Sequence, residues 1–172
     1  MNHIESGKRT AMPGDLLLHP VAIAAMLVVI FNDRYLKVYH AGFVSGKLSD
    51  FTGLIYFPLF LVSVAEISLW IRARLSKSSN HQGNWQLGSG AVDSIVAVTG
   101  IIFTLAKLWD PAAIGYSVVF GVVWWPVDAL ASLSGGAGWP PVGRLSLTQD
   151  PLDLVALPML LVPMLIVRRL RT

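Results

Sequence analysis

The chain has no cysteine among its 172 residues, which excludes disulfides, thiolate metal sites and thiol nucleophiles and leaves the redox compartment open. Charge is scarce too. Asp, Glu, Lys and Arg make up 13% of the sequence and hydrophobic residues 54%, against about 25% charged in soluble domains. Mean hydropathy is +0.62. A charge deficit of this size, spread between long apolar runs, describes an integral membrane protein. Hydrophilic stretches are few: Arg72 to Gln86 is the one clear polar linker, and the Gly/Pro-rich stretch from Ser134 to Pro141 is a second loop. The net charge of +3 does not point to nucleic acid, because the basic residues gather beside apolar segments as Lys8/Arg9, Arg72/Arg74/Lys77 and Arg168/Arg169/Arg171. That is the pattern of cytoplasmic membrane flanks.

A crossing helix needs about 20 mainly apolar residues. Four stretches meet or approach this: Leu16 to Phe31, with Asp15 placed to cap it; Leu48 to Ile71, holding Pro58 and Glu66; Leu87 to Trp109; and the short run from Asp153 to Val167, holding Pro158 and Pro163. No small-residue cleavage site follows the first run, so it reads as a retained helix rather than a signal peptide. The expected fold is therefore all-α, a polytopic transmembrane helical bundle, with a polar tail over 1–15 and one transmembrane domain over 16–172. Trp70, Trp109, Trp124, Trp125 and Trp139 fit interfacial anchors.

A fifth apolar stretch, Pro111 to Ser134, is re-entrant, interfacial or spanning. If it crosses, with the N-terminus inside, six Lys/Arg lie inside and seven outside. If it does not, both termini are cytoplasmic and the thirteen basic residues divide eight to five. Orientation follows this bias, so four crossings are favoured. Asp33, Lys37, Lys47, Asp50, Lys107, Asp110, Asp128, Asp150 and Asp153 then fall at or near the non-cytoplasmic face.

Charges at membrane depth are costly and therefore informative. Lys47 and Asp50 stand three apart and can pair on one helix face. Together with Asp33, Lys37, Asp150 and Asp153 they form a candidate ligand or ion-pair cluster. Asp50, Asp93, Asp128 and Asp153 also fit first-turn carboxylates at the positive ends of helix dipoles, and Asp150-Pro151-Leu152 supplies a cap and a first-turn proline for the last helix. Glu66 lies about 24 Å beyond Asp50 along its helix, near the inner headgroup level. Lys107 lies near the opposite interface, where its stem can snorkel toward Asp110. Residues 50–54 and 153–157 echo one another weakly, as transporter repeats do.

Enzyme signatures do not hold. Gly42 to Leu48 is one residue too short for a phosphate loop and has Leu48 where magnesium needs a hydroxyl. The four histidines are scattered, and no metal site, cofactor or catalytic residue is indicated. Asn32-Asp33-Arg34-Tyr35-Leu36-Lys37, then Gly46-Lys47-Leu48-Ser49-Asp50-Phe51-Thr52-Gly53-Leu54, then Asp150-Pro151-Leu152-Asp153-Leu154 resemble the blocks N-D-x-x-L-K, G-K-L-S-D-F-x-G-L and D-P-x-D-L of a family of small uncharacterised bacterial polytopic membrane proteins. The resemblance implies a bacterial inner membrane and little more, since it carries no established activity with it. Two functions stay open. One is a non-enzymatic accessory or scaffold subunit, partnered by lipid and other membrane subunits. The other is a small transporter or channel for an ion or polar solute, which at this size requires a homo-oligomer.

Overall fold

The computed structural model describes residues 12–36, 39–40, 42–75, 85–134 and 149–171, with the backbone alone described for Asp33, Asp128 and a few other helical positions. Among the described residues five α-helices follow one another: α1 (Pro20–Phe31), α2 (Phe43–Leu75), α3 (Ser89–Leu108), α4 (Asp110–Ser134) and α5 (Leu161–Arg171). A 3-10 turn (Asp15–Leu18) precedes α1, a π turn (Asn32–Leu36) follows it, and a 3-10 segment (Pro151–Leu160) runs into α5. No strand occurs among the described residues. Among the described residues three helical stretches are long and apolar enough to cross a membrane: Val44–Leu75, Ser89–Leu108 and Pro151–Arg171.

Local chemistry explains the boundaries. Pro20 occupies the first turn of α1, and the Val21 N–H donates to His19 Nδ1 at 3.2 Å. His19 is thus the cap that sequence reasoning gave to Asp15, which instead opens the 3-10 turn behind Gly14. Gly14 has φ +85°, a left-handed conformation that costs other residues about 1–2 kcal/mol. Five hydroxyls inside the helices are satisfied locally: Thr52, Ser68, Ser94, Thr99 and Thr104 each donate to the carbonyl four residues earlier, which spares them an unmet bond in an apolar medium; the buried Ser63 hydroxyl has no partner among the described residues. α2 continues through Pro58, whose missing N–H leaves the Leu54 carbonyl without its helical partner.

The last element solves a length problem. As pure α-helix, Asp153 to Arg171 would span about 27 Å. The ten-residue 3-10 segment rises about 2.0 Å per residue instead of 1.5 Å and extends this to about 30 Å. That matches Lys47 to Glu66 on α2, about 29 Å by helical rise. Its three-residue period is visible in burial, with Leu152, Val155, Pro158 and Leu161 exposed while Asp153 and Ala156 are buried.

Among the described residues two apolar clusters fill the interior. Leu16, Ala22, Leu59, Val62, Val92, Val96, Ile166 and Val167 form one; Leu54, Phe103 and Ala156 form the other. At Gly100 the backbone comes close to a neighbour, since a Cβ there would stand 2.8 Å from Leu160 Cδ1. Many large apolar side chains face outward, among them Leu27, Val98, Ile101, Val119, Val122 and Leu165. Such an exposed apolar surface belongs against lipid.

The contacts define two ends. The start of α2, the end of α3 and the start of the 3-10 segment meet at one, through ion pairs among Lys47, Asp50, Lys107, Asp150 and Asp153. The π turn joins them there, because Asn32 Nδ2 donates to the Ser45 carbonyl at 2.8 Å. At the other end Glu66, Leu87 and Arg171 meet, and Gly14 abuts Ile67. α4 packs mainly on α3, and its backbone is one continuous helix that does not turn back on itself.

Candidate functional site: an alternating chain of five charges

The backbone favours three of the five positions, Lys107, Asp150 and Asp153. Lys47 and Asp50 lie in the first turns of α2, one turn apart. Lys107 is in the last turn of α3, where the negative end of the helix dipole favours a cation. Asp150 caps the 3-10 segment, accepting the Leu152 N–H at 2.9 Å, with Pro151 behind it and Asp153 in the first turn.

Their tips join into a chain of alternating sign. Lys47 Nζ lies 3.1 Å from Asp150 Oδ2 and also pairs with Asp153 Oδ1. Asp153 Oδ2 lies 2.5 Å from Lys107 Nζ, which reaches Asp50 Oδ2 at 2.9 Å. The order is Asp150, Lys47, Asp153, Lys107, Asp50. Burial deepens toward the middle: the Asp150 side chain is 33% exposed, Asp153 8% and Lys107 4%. The Phe103 ring lies 5.5 Å from Lys107 Nζ and closes the apolar side. Three carboxylates against two ammonium groups leave a formal charge of −1. At the outer end, the Leu152 N–H and then the Lys47 ammonium hold the Asp150 carboxyl below the usual carboxylate range.

Two sequence expectations change. Lys107 does not snorkel to the interface beside Asp110; it turns inward, because it shares a face of α3 with Gly100 and Phe103, and that face packs on α2 and the 3-10 segment. Asp50 is bonded across the bundle by Lys107 rather than by its helical neighbour Lys47, whose carboxylate partners are Asp150 and Asp153. The two aspartates of the weak echo therefore share one lysine. Of the other candidates, Lys37 lies outside the described residues, as do the side chains of Asp33 and Asp128.

Glu66 and Asp93 belong to the opposite end. Glu66 is 1% exposed, covered by its neighbours at this end of the bundle, and accepts from the Leu87 N–H at 3.1 Å and from Arg171. Arg171 also donates to the Leu87 carbonyl. Asp93 pairs with Arg168 at 3.1 Å, both partly exposed. Sequence reasoning treated Arg168 and Arg171 only as topology markers; their partners lie 75 and 105 residues away, a distance no local pattern encodes. Asn32 was missed as well. It is fully buried, and its Oδ1 has no partner among the described residues.

Chemically the chain of charges can clamp three helices or hold a proton or cation at its surplus carboxylate. No group of three His or acidic residues arranged for a metal ion occurs among the described residues. No family model, curated protein or solved structure matches the chain.

Proposed function

We propose that this is a four-crossing bacterial inner-membrane protein whose charge chain is a structural clasp at the outer face, and that its role is that of a non-enzymatic accessory or scaffold subunit. The observation that carries the reading is the internal pairing of the site. Each of its five charged side chains has an opposite charge within the bundle, as a clasp requires and an open ligand site does not.

Parity supports the topology. Lys107, just before α4, and Asp150, just after the following connection, lie at the same end. The chain between them makes no net crossing. The connection over 135–148 contains Arg144, Pro140 and Pro141 and is no apolar span, which favours α4 staying on the outer side. The N-terminal 3-10 turn and the end of α5 lie at the Glu66 end, together with Arg72, Arg74, Arg168 and Arg169. This basic end is the cytoplasmic one.

The surplus negative charge favours one rival, a small transporter using the same cluster. Ion flux in reconstituted vesicles, measured beside thermal stability for wild type, Asp50→Asn and Asp153→Asn, separates the two. A clasp gives no wild-type flux and variants of lowered stability. Wild-type flux that disappears in Asp50→Asn at unchanged stability overturns the clasp. Partner proteins retained in mild detergent identify the assembly it serves.

A further inference from the structure

At the Glu66 end, α3 begins beside the last two turns of α5, and the groove between them opens into a cavity of about 330 Å3. That is the low end of the range for small-molecule sites. Its walls change character with depth. Val92, Met164 and Val167 line the apolar part, while Ser89, Arg168 and Arg171 line the polar part. Met164 to Arg171 is about 10 Å of helix, so the cavity runs from the level where the apolar sequence stops to about two turns inside it. An occupant needs a polar, anionic head and an apolar continuation.

The polar part is built to take an anion. Arg168 is 56% exposed and its bond to the 39% exposed Asp93 is a surface ion pair, a kind that contributes little stability and gives way to a competing anion at small cost. The α3 N-cap, Gly88, makes no side-chain cap bond, and space is open above both Gly88 and Gly90. The 20-residue α3 thus presents its N-terminal amides beside Arg168, adding to the arginine's attraction for a phosphate. Arg171 is engaged by Glu66 and the Leu87 carbonyl and serves as a fixed wall. Among the described lining residues Asp93 is the acidic one; it competes with the anion for Arg168.

We propose that this cavity seats an anionic phospholipid, its phosphate on Arg168 and the first turn of α3, and its upper acyl chain along Val92, Met164 and Val167. The inference rests on the bilayer placement proposed above, which puts the cavity at headgroup depth, where lipid is the amphiphile present. Basic pockets between membrane helices on the cytoplasmic side select such headgroups.

The test is the thermal shift of the full chain in mild detergent on titration with phosphatidylglycerol, phosphatidylcholine or inorganic phosphate. The expected result is stabilisation by phosphatidylglycerol well beyond that by phosphatidylcholine, and none by phosphate. Arg168→Gln should weaken the apparent affinity about tenfold, the effect of losing one charge-assisted hydrogen bond. Asp93→Asn should strengthen it, because the competing carboxylate is gone. If the Arg168–Asp93 pair is only structural, Asp93→Asn weakens the response as Arg168→Gln does, and the proposal fails. It fails also if Arg72→Gln/Arg74→Gln, outside the cavity, loses as much, or if phosphate alone reproduces the shift. Should Arg168→Gln not fold, the direction of the Asp93→Asn effect decides alone. Failure of the bilayer placement shows separately, as a chain that does not insert into phosphatidylcholine vesicles either, and overturns the proposal with it.

Discussion

Asp153 Oδ2 lies 2.5 Å from Lys107 Nζ across 46 residues of sequence, while the other oxygen of the same carboxylate pairs with Lys47. One side chain at the start of the C-terminal segment thereby joins the end of α3 to the start of α2. The geometry is favourable because α3 runs opposite to its two neighbours. Its C-terminal cation meets the carboxylates near their N-terminal ends, so Lys107 and Asp153 are each stabilised by their own helix end as well as by their partner.

Replacing Lys107 by Met should destabilise the bundle by about 3–5 kcal/mol, the usual cost of stranding a buried charge partner. Asp153→Asn should cost a comparable amount, far above the ~1 kcal/mol of a lost helix cap, because it leaves two lysines facing each other. Chemical denaturation in detergent measures both. In the double mutant the losses should fall short of their sum by about 0.5–3 kcal/mol; simple additivity would dissolve the clasp.

The absence of native cysteine makes single-cysteine labelling clean. Cysteines at Ser78 and Thr172 should resist a membrane-impermeant reagent in intact spheroplasts, whereas cysteines at Tyr39 and Gln149 should react. Labelling at Thr172 would remove the four-crossing topology.

Gly100→Ala places a methyl group against Leu160, with Cβ 2.8 Å from Leu160 Cδ1. Leu160 Cδ1 is the end of a flexible, half-buried side chain that can give way, so the cost falls at the low end of the about 1–3 kcal/mol of overpacking; helix propensity returns about 0.5–1 kcal/mol, and a net loss of about 0.5 kcal/mol or less is expected. Leu160→Ala in the same chain should relieve the clash, and a melting temperature that falls further in the double variant than the two single losses combined counts against this close approach.

Asp150 gives a pH signature. Its folded pKa is depressed by the Leu152 N–H and Lys47, so its contribution is complete above the unfolded value of about 3.9 and is lost as pH falls through the lower folded value. The stability gap between wild type and Asp150→Asn should stay constant at neutral pH and close below about pH 4. A gap that persists at low pH contradicts this assignment.

Particular elements explain what could be read early. The apolar runs after Leu16, Leu48 and Leu87 were legible because lipid imposes one rule on every exposed position, which composition records directly. The ends were less so: α2 begins at Phe43 and continues to Leu75, further than hydropathy marked, since helix continuation through Ser45, Lys47, Arg72 and Arg74 depends on partners and dipoles. The 3-10 character of Pro151–Leu160 was hinted at only by Pro158, Pro163 and the shortness of the run.

Lys47, Asp50, Asp150 and Asp153 could be grouped from sequence because each opens a membrane helix predicted to start on the same side. Lys107 was assigned to the wrong neighbour, and the partner of Glu66 was not legible at all. Hydropathy fixes depth along a helix, a one-dimensional quantity set by the cost of charge in hydrocarbon. The direction a lysine faces around its helix is set by which neighbours pack there. The sequence by itself therefore determined that this is a helical membrane protein with charge at the ends of its spans. Only the tertiary structure decided that Lys107 bridges Asp50 and Asp153 and that Arg171 closes on Glu66, because those pairings arise from helix packing between residues 46 to 105 positions apart.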